Sequence, residues 1–421
     1  MLADFALPAG APPARVEWDE RGFAAARWSA EGLAHLAARL AERGARALAS
    51  VPLERRLAAW DESVGALLDP ESDERRALMP ALVATSRLSP EGLTEALDVV
   101  LAGWTGEAAA RLAARARSGG VSSPAGVVLA GNVPGLAAQS LLPALLAGRP
   151  LLIKSASSEP LFAPALVAAL ARREPALGEA FAAVTFAGGE PGLARAAFAE
   201  TGVVLAYGGA DALAALAGEL GERLVAQGPK ASLAFVAGEI DPITTGKALA
   251  RDVALLDQRG CLSVQAVWVE GSEADAREVA EALAFGLEIE ERRLPPGPAD
   301  AHALGAVQQL RGEAELRDAR IGRDRPAAAG TVVLTSEVAF RPSPGLRSVR
   351  VHAVARVGDA LVALDPWRGR LQGAALAGEG ARAISDELSA LGLSRLAEPG
   401  RLQSADAAWA NGGIDPFAVF G

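Results

Sequence analysis

The fold is decided by AGVVLAGNVPGLAAQSLLPALLAGRPLLIKSAS, residues 125–157. This stretch begins with a short apolar run, passes into a segment with helical spacing, and returns to a second apolar run that ends near Lys154. Two further pairs of apolar run and helix follow, AAVTFAGG with GLARAAFAE and GVVLAYGG with ADALAALAGELGERL. Continuous apolar strands that alternate with helices are typical of a parallel sheet covered on both faces. The pattern therefore predicts an α/β unit built on a parallel sheet.

The flanking regions predict the rest of the architecture. Residues from about 20 to 118 have apolar positions three and four apart, which indicates an N-terminal helical region. The turn-rich SGGVSSPAG, residues 118–126, separates it from the first strand. A second α/β unit is expected from Ala226, with a turn at LPPGPADAHALG, residues 294–305, and with the strands ASLAFVAG, SVQAVWVEG, TVVLTSEV and SVRVHAVARV.

These patterns divide the chain into three parts. We expect the helical region and the first α/β unit over residues 1–225, and the second α/β unit over residues 226–397. Residues 398–421 form a C-terminal tail, which is a candidate oligomerisation segment.

The bulk composition disfavours several classes of protein. Hydrophobic residues make up 51% of the 421 residues, enough for two or three packed units. The net charge of −10 argues against a general nucleic-acid binder. No stretch reaches the roughly 18 to 20 apolar residues of a membrane span, and the N-terminus lacks the features of a signal peptide. A single cysteine allows no intramolecular disulfide and no Cys-rich metal site. We therefore expect a cytoplasmic protein without a bound metal.

The one cysteine, Cys261, lies in DQRGCLSVQAVWVE, residues 257–270. It follows Gly260 and precedes an apolar run that predicts a strand from Val264 to Glu270. A thiolate attacks a carbonyl carbon well and forms a thioester that can later be released. In a turn that enters a strand, the sulfur is expected to face a cleft. The alternative is a buried, inert cysteine that acts as a small hydrophobe.

Other candidates lie in the loops after the strands of the first unit, because ligands bind outside the carboxyl ends of such strands. In AGNVPG, the Asn132 amide can donate a hydrogen bond to an oxyanion, or Asn132 can serve as a turn residue or cap the next helix. In IKSASSEP, the charge of Lys154 suits a ribose hydroxyl or a phosphate, although a solvated lysine is the alternative. The glycine pairs Gly188–Gly189 and Gly208–Gly209 can bring backbone N–H groups close to a phosphate. Only three of the 41 basic residues are lysine and the others are arginine. Because this chain uses arginine for its surface charges, a lysine retained in such a loop indicates a chemical role.

Several of these segments together resemble the aldehyde dehydrogenase superfamily, and most closely its fatty-acyl-CoA reductase branch. The segments are GNVPG (131–135), LLIKSASSEP (151–160), YGGAD (207–211), QGPKAS (227–232) and DQRGCLSVQAVWVE (257–270). The resemblance implies that residues 1–225 contain a Rossmann-like dinucleotide-binding domain after the helical region. It implies that residues 226–397 form a second, catalytic α/β domain, with the active site between the two domains. It implies that Cys261 is the nucleophile and that Asn132, with the Cys261 N–H, forms an oxyanion hole. It also implies that Lys154 binds the cofactor ribose or its 2′-phosphate and that Gly208–Gly209 contact the pyrophosphate. Lys230 matches the lysine of the motif at the start of the catalytic domain.

Three departures from the family pattern bear on this expectation. Hydrolytic members carry a water-activating glutamate before the glycine pair that precedes the motif lysine, whereas residues 225–230 here read VAQGPK. The resemblance therefore implies an acyl-enzyme that exchanges with a thiol such as coenzyme A. NAD-preferring members often carry a glutamate three residues after the cofactor lysine, where this chain has Ser157. This favours NADPH, with NADH as the alternative. Glu337, in EVAFRP, falls one residue out of register with the family's second ribose-contacting segment.

The resemblance therefore predicts an enzyme that reduces a fatty acyl-CoA thioester to the aldehyde with NADPH, through an acyl-cysteine. A CoA-acylating aldehyde dehydrogenase and an acyl-phosphate reductase are the alternatives of similar chemistry, and a non-catalytic assembly protein is the alternative of another class. A homo-oligomer is expected, without nucleic acid or an integral membrane segment. His302 and His352 are candidates for a proton donor, with a packed or surface histidine as the alternative, and His35 is interpreted as structural.

Overall fold

The computed structural model describes residues 2–11, 13, 15–116, 123–317, 319–322 and 329–420. Within these ranges the strands are β1 (Arg15–Asp19), β2 (Phe23–Arg27), β3 (Ala125–Val128), β4 (Leu151–Ser155), β5 (Phe181–Thr185), β6 (Val203–Tyr207), β7 (Leu224–Gln227), β8 (Ala231–Val236), β9 (Val264–Glu270), β10 (Arg320–Ile321), β11 (Thr331–Thr335), β12 (Ser348–Val354), β13 (Leu371–Ala377) and β14 (Arg395–Ala397). The helices are α1 (Ala30–Ala49), α2 (Leu53–Leu68), α3 (Asp73–Ser86), α4 (Pro90–Ala102), α5 (Gly106–Ala113), α6 (Ala138–Ala147), α7 (Phe162–Arg173), α8 (Leu193–Ala197), α9 (Ala210–Leu220), α10 (Pro242–Ala254), α11 (Glu273–Arg293), α12 (Ala301–Glu315), α13 (Val357–Leu364), α14 (Glu379–Arg382), α15 (Ser385–Ala390) and α16 (Pro416–Phe420).

The N-terminal region consists of a β-hairpin followed by the helices α1 to α5. The strands β1 and β2 pair antiparallel across a turn at Gly22, whose φ of +94° favours glycine. Val16 and Trp18 alternate with charged residues in the two-residue period of a strand. The helical prediction for residues 20–118 is therefore right from α1 onward and wrong for the hairpin. Of the expected break, residues 118–122 lie outside the described residues.

The first sheet is parallel, with the strand order β5-β4-β3-β6-β7. The chain moves outward from β3 to β5 and then returns to add β6 and β7 on the other side. The loops after β3 and β6 therefore diverge and leave a crevice at the carboxyl ends of these strands. The residues of β3 and β5 are all buried, which explains their continuous apolar runs. The predicted Rossmann-like unit is confirmed.

The second sheet has the strand order β10-β11-β12-β9-β8-β13-β14, and only β10 pairs antiparallel among its described strands. The four predicted strands are present as β8, β9, β11 and β12. Sequence analysis missed β13, because LQGAALA is rich in alanine and glycine, which have weak strand propensity. The turn predicted over residues 294–305 is wrong in its second half, because the Asp300 side chain caps α12 by accepting the Ala303 N–H.

A short connector, residues 228–230, links β7 of the first sheet to β8 of the second. The chain therefore leaves the first sheet after Gln227, two residues beyond the predicted boundary at residues 225/226. The C-terminal tail packs back on its own chain, where Arg149 donates to the Val419 carbonyl at 3.0 Å and Arg115 pairs with Asp415 at 2.9 Å. Its role in oligomerisation stays a prediction. Across the described ranges, no helix has both the length and the apolar character needed to cross a membrane.

Candidate active site

A cavity of about 510 Å³ lies between the two sheets and is called the central cavity below. The loops after β3 and β6 form one side, and the residues that precede β8 and β9 form the other. The described residues that line it are Thr85, Ser86, Arg87, Ala130, Gly131, Asn132, Val133, Leu136, Ser158, Tyr207, Gly208, Gly209, Gln227, Gly228, Pro229, Lys230, Gln258, Arg259, Gly260, Cys261, Gln265, Gln372 and Asn411. The cavity therefore occupies the crevice that the strand order of the first sheet creates.

A second cavity of about 550 Å³ borders the same connector. Its lining shares Gln265 and residues 227–230 with the central cavity, and it adds Pro342, Trp367 and Ile414. The connector is therefore part of the wall of both cavities.

Cys261 is partly exposed and lines the central cavity at the amino end of β9. The three residues from Leu256 to Gln258 have positive φ angles of 60°, 51° and 62°. This left-handed backbone costs a residue with a Cβ roughly 1–2 kcal/mol. Tertiary contacts must therefore hold the turn that carries the cysteine.

Two buried side chains supply these contacts. Arg347, which is 1% exposed, contacts the Asp257 carboxylate at 2.6 Å. The Gln258 amide donates to the carbonyls of Val264 and Ser348, each at 2.7 Å. The cysteine turn is thus anchored to β9 and β12, and its strain is offset by an ion pair and by hydrogen bonds within the protein.

Burial raises the pKa of the Cys261 thiol from its ordinary value of 9.0 to about 11. Hydrogen bonding to backbone N–H groups and the positive charge of Lys230 act in the opposite direction and lower this pKa. The Lys230 ammonium is held in place because it donates to the Gly369 carbonyl at 2.9 Å. At neutral pH the resting side chain is therefore a thiol, with a fixed cation near it.

Asn132 ties the two halves of the central cavity together. Its side-chain amide donates to the carbonyl of Arg259 at 2.7 Å, two residues before Cys261. Asn132 lies in a turn, as one alternative expects, and the helix-cap alternative is wrong because α6 begins only at Ala138. An amide nitrogen carries two N–H groups, and Asn132 lines the same cavity as the sulfur. Its role in an oxyanion hole stays a prediction.

Three of the predicted cofactor residues line the central cavity, namely Gly208, Gly209 and Lys230. Gly209 precedes α9 with an ordinary φ of −68°, and an added Cβ would meet nothing within 4 Å. The packing of the protein itself therefore does not require glycine there. The absence of a side chain leaves open space in front of the first turn of a helix, which is where phosphates bind.

Lys154 and Ser157 lie outside the described lining of both cavities. Lys154 is half-buried with its Nζ 5.3 Å from the centre of the Phe186 ring, and burial lowers the pKa of its ammonium. Ser157 is exposed in the turn after β4, whereas the adjacent Ser158 lines the central cavity. A Cβ at Gly131 would lie 2.0 Å from the Ser158 oxygen, so glycine is needed where these two loops meet.

Gly188 and Gly189 form an exposed turn after β5 and also lie outside the described lining of both cavities. At the following helix, α8, the Glu219 carboxylate accepts the N–H groups of Gly192 at 3.4 Å and Arg195 at 2.8 Å. A phosphate at this helix start would have to compete with that carboxylate. The phosphate role of this glycine pair stays a prediction.

Sequence analysis missed a group of amides at the wall of the central cavity. The Asn411 side-chain oxygen accepts N–H groups from Gln227 at 3.1 Å and from Gln372 at 2.6 Å. Gln372 lies on β13, which was not predicted, and Asn411 lies in the tail. The one available signal was that Asn411 is one of only two asparagines in the chain.

The electrostatic character of the central cavity is cationic. Arg87, Lys230 and Arg259 line it, and no Asp, Glu or His occurs among its described lining residues. Elsewhere too, the described residues contain no group of three or more His, Cys, Asp or Glu side chains that could hold a metal ion. The cavity therefore favours an anionic ligand, and its described lining offers no carboxylate or imidazole that could act as a base next to the thiol.

The histidines lie elsewhere. His352 is 1% exposed and stacks on Trp268 with ring centres 4.7 Å apart, and its ring nitrogen Nδ1 contacts the Glu337 carbonyl at 2.5 Å. Burial lowers the pKa of His352 to about 4. His35 and His302 are exposed on α1 and α12, so His302 does not lie in the predicted turn.

The fold resembles that of solved aldehyde dehydrogenases. A NAD-dependent benzaldehyde dehydrogenase from Corynebacterium glutamicum superposes with a TM-score of 0.71 over 95% of each chain, at 16% identity. An NADP-dependent glyceraldehyde-3-phosphate dehydrogenase from Bacillus halodurans superposes with a TM-score of 0.68, over 90% of this chain and 84% of its own, also at 16% identity. The predicted aldehyde-dehydrogenase-like fold is confirmed.

The sequence comparison then identifies the family. The model described as "Acyl-CoA reductase (LuxC)" matches residues 88–419, so the chain belongs to the acyl-CoA reductase (LuxC) family. Similar curated proteins are the long-chain acyl-protein thioester reductases of Aliivibrio fischeri, 25% identical over 297 residues, and of Photorhabdus laumondii, 24% identical over 288 residues. The matches cover 66% and 65% of this chain but only 59% and 57% of the relatives.

Proposed function

We propose that the chain reduces an acyl thioester to the aldehyde with a nicotinamide dinucleotide, through an acyl-cysteine on Cys261. The observation that carries this proposal is the composition of the central cavity. It combines the only thiol of the chain with three cations, and no carboxylate or imidazole occurs among its described lining residues. Such a site can form a thioester with the enzyme but has no base of its own to direct water at that thioester.

The lining fits an anionic dinucleotide. Gly208, Gly209 and the start of α9 are suited to a pyrophosphate, and Lys230 adds positive charge on the opposite wall. When bound, the cofactor supplies the hydride that reduces the acyl group. We assign Lys154 to the cofactor ribose and favour NADPH, because Ser157 is neutral. The nearby Glu159 carboxylate is already bonded to two N–H groups at the start of α7.

The residues of the chain then act in order. The Cys261 sulfur bonds to the thioester carbon, the bond from that carbon to the carrier sulfur breaks, and the thiol proton ends on the departing carrier. Asn132 and the Cys261 backbone N–H donate to the oxygen that becomes charged. After reduction, the carbon–sulfur bond to Cys261 breaks, a proton is taken up, and the aldehyde leaves. Overall, one thioester, one hydride and one proton give one aldehyde and one thiol.

Gln227 accounts for the choice of a thiol over water. The VAQGPK segment has no carboxylate where the hydrolytic members carry their glutamate, and the Gln227 side chain at the cavity wall is a buried, neutral amide. An amide cannot remove a proton from water near neutral pH, so the acyl-cysteine persists until it is reduced or returned to a carrier thiol. We propose a fatty acyl group on coenzyme A as the substrate, while the names of the relatives specify a long-chain acyl group on a protein.

The test uses purified protein, a long-chain acyl-CoA, and NADPH or NADH. We expect cofactor oxidation that matches the amount of trapped aldehyde, and faster turnover with NADPH. Without cofactor, mass spectrometry should find the acyl group on Cys261, which is unambiguous because the chain has one cysteine. The Cys261→Ser variant should lose both signals. Turnover only with an acyl phosphate, or an unmodified cysteine with no turnover, would refute the proposal.

A further inference from the structure

The amides at the wall of the central cavity form one connected cluster. The Asn411 oxygen accepts N–H groups from both Gln227 and Gln372, and the Asn411 nitrogen donates to Gln139 at 2.8 Å. The four residues come from β7, β13, the tail and α6. The cluster therefore joins the two sheets, with Gln227 and Gln372 as donors to Asn411 and Gln139 as the acceptor from it.

This arrangement leaves two hydrogen-bond acceptors unused. The carbonyl oxygens of Gln227 and Gln372 have no partner within the described residues, although the side chains are only 7% and 0% exposed. An unpaired buried polar group costs roughly 1–3 kcal/mol. Both residues line the central cavity with Cys261. A ligand that brings an N–H group to this wall would remove the cost.

The strand register places Gln372 close to the cysteine turn. Its neighbour Gly373 pairs with Ser232 of β8, and the Ser232 hydroxyl donates to the Cys261 carbonyl at 2.7 Å. An added Cβ at Gly373 would lie 3.1 Å from the side chain of Leu262, the residue after the cysteine. Strand β8 therefore lies between Gln372 on β13 and the turn that carries Cys261.

Biological thioesters carry an N–H group at a fixed distance from the reacting bond. In an acyl-pantetheine, the chain from sulfur runs through two carbons to an amide nitrogen, and in an S-acyl cysteine of a protein it also runs through two carbons to a backbone nitrogen. We infer that the Gln227 and Gln372 oxygens accept this N–H, so that the site recognises an amide two carbons from the thioester sulfur. The inference rests on the proposed function and deepens it by naming the shared substrate feature.

The charges of the site agree with this role. The bound N–H is neutral, and the acceptors are neutral amides. A carboxylate at the same wall would also accept the N–H, but it could activate water as well. The amides of Gln227 and Gln372 accept without acting as a base, which suits a site that must hold a thioester without hydrolysing it.

The test compares thioesters of one acyl group on wild-type protein. The first is the N-acetylcysteamine thioester, which has the N–H. The second is its oxygen analogue, the thioester of 2-acetoxyethanethiol, in which an ester oxygen replaces only that N–H. We expect kcat/KM to be about tenfold higher for the first, the effect of one hydrogen bond to a buried acceptor. The S-acyl derivative of N-acetylcysteine methylamide, which mimics a protein cysteine, should share the advantage.

Variants then assign the effect to the cluster. Gln372→Met and Gln227→Met should bring the ratio of the first two thioesters towards one, while Gln309→Met, which changes an exposed glutamine on α12, should keep the wild-type ratio. Equal kcat/KM for the first two thioesters on wild-type protein would overturn the inference and leave the proposed function standing. A higher kcat/KM for only one of the two N–H-bearing thioesters would overturn the inference that the site recognises the N–H common to both carriers. No aldehyde from any thioester would overturn both proposals.

Discussion

The thiol of Cys261 should remain protonated in the ligand-free protein far above neutral pH. Its pKa of about 11, against an ordinary 9.0, gives a thiolate fraction of about 10⁻⁴ at pH 7 instead of about 10⁻². The folded thiol is then about a hundredfold less available than the same cysteine in the unfolded chain. We expect alkylation by iodoacetamide in the folded protein to speed up about tenfold per pH unit between pH 8 and 10.

The same assay tests the cause of the shift. In guanidinium the rate should level off near pH 9, because burial is lost. Lys230→Met should slow the folded reaction further at each pH, since the ammonium near the sulfur stabilises the thiolate. Lys247→Met, which removes an exposed lysine on α10, is the matched control and should change nothing. A folded-state rate that levels off at or below pH 9 would refute the argument that burial dominates.

Three further predictions concern other parts of the site and its support. Gln227→Glu should place a carboxylate beside the acyl-enzyme and convert part of the aldehyde product into free acid, as product analysis would reveal, while Gln309→Glu should yield no acid. Asp252, whose pKa burial raises to about 7, is favoured in its protonated form, so its contribution to stability is present below pH 4 and is lost as the pH rises through 7. Relative to wild type, Asp252→Asn should therefore gain about 2–3 kcal/mol in free energy of unfolding between pH 5 and pH 8, and a constant difference would contradict this. Arg347→Met should cost about 3–5 kcal/mol in denaturant unfolding because it leaves the Asp257 carboxylate buried without its partner, and a loss below 1 kcal/mol would contradict the role given to the pair.

Apolar runs and helical spacing in the sequence predicted those strands and helices that short stretches of sequence determine by themselves. The buried strands of the first sheet are apolar runs, and the sequence around Cys261 places the thiol before β9, where it lies. The hairpin at Val16 and the strand β13 were missed for opposite reasons. The hairpin has the right alternation but only five residues in each strand, whereas β13 owes its conformation to burial between β8 and β14.

The site was predictable only where its residues carry their own signal. Cys261 and Asn132 are rare residue types in loops next to strands, and both line the central cavity. The amide cluster unites residues up to 272 positions apart, from Gln139 to Asn411, and no spacing in the sequence encodes such a contact. The positive φ angles before the cysteine also could not be foreseen, because they depend on Arg347, which is 90 positions from its partner Asp257.

The connector at residues 228–230 links the two lobes with only three residues, and both large voids share it as a boundary. Pro229 stiffens this bridge, because its ring restricts the backbone. A ligand in either cavity would therefore lie against the same three residues. Lys230 contributes its positive charge to the wall of both cavities, so an anion in either one would meet the same ammonium group.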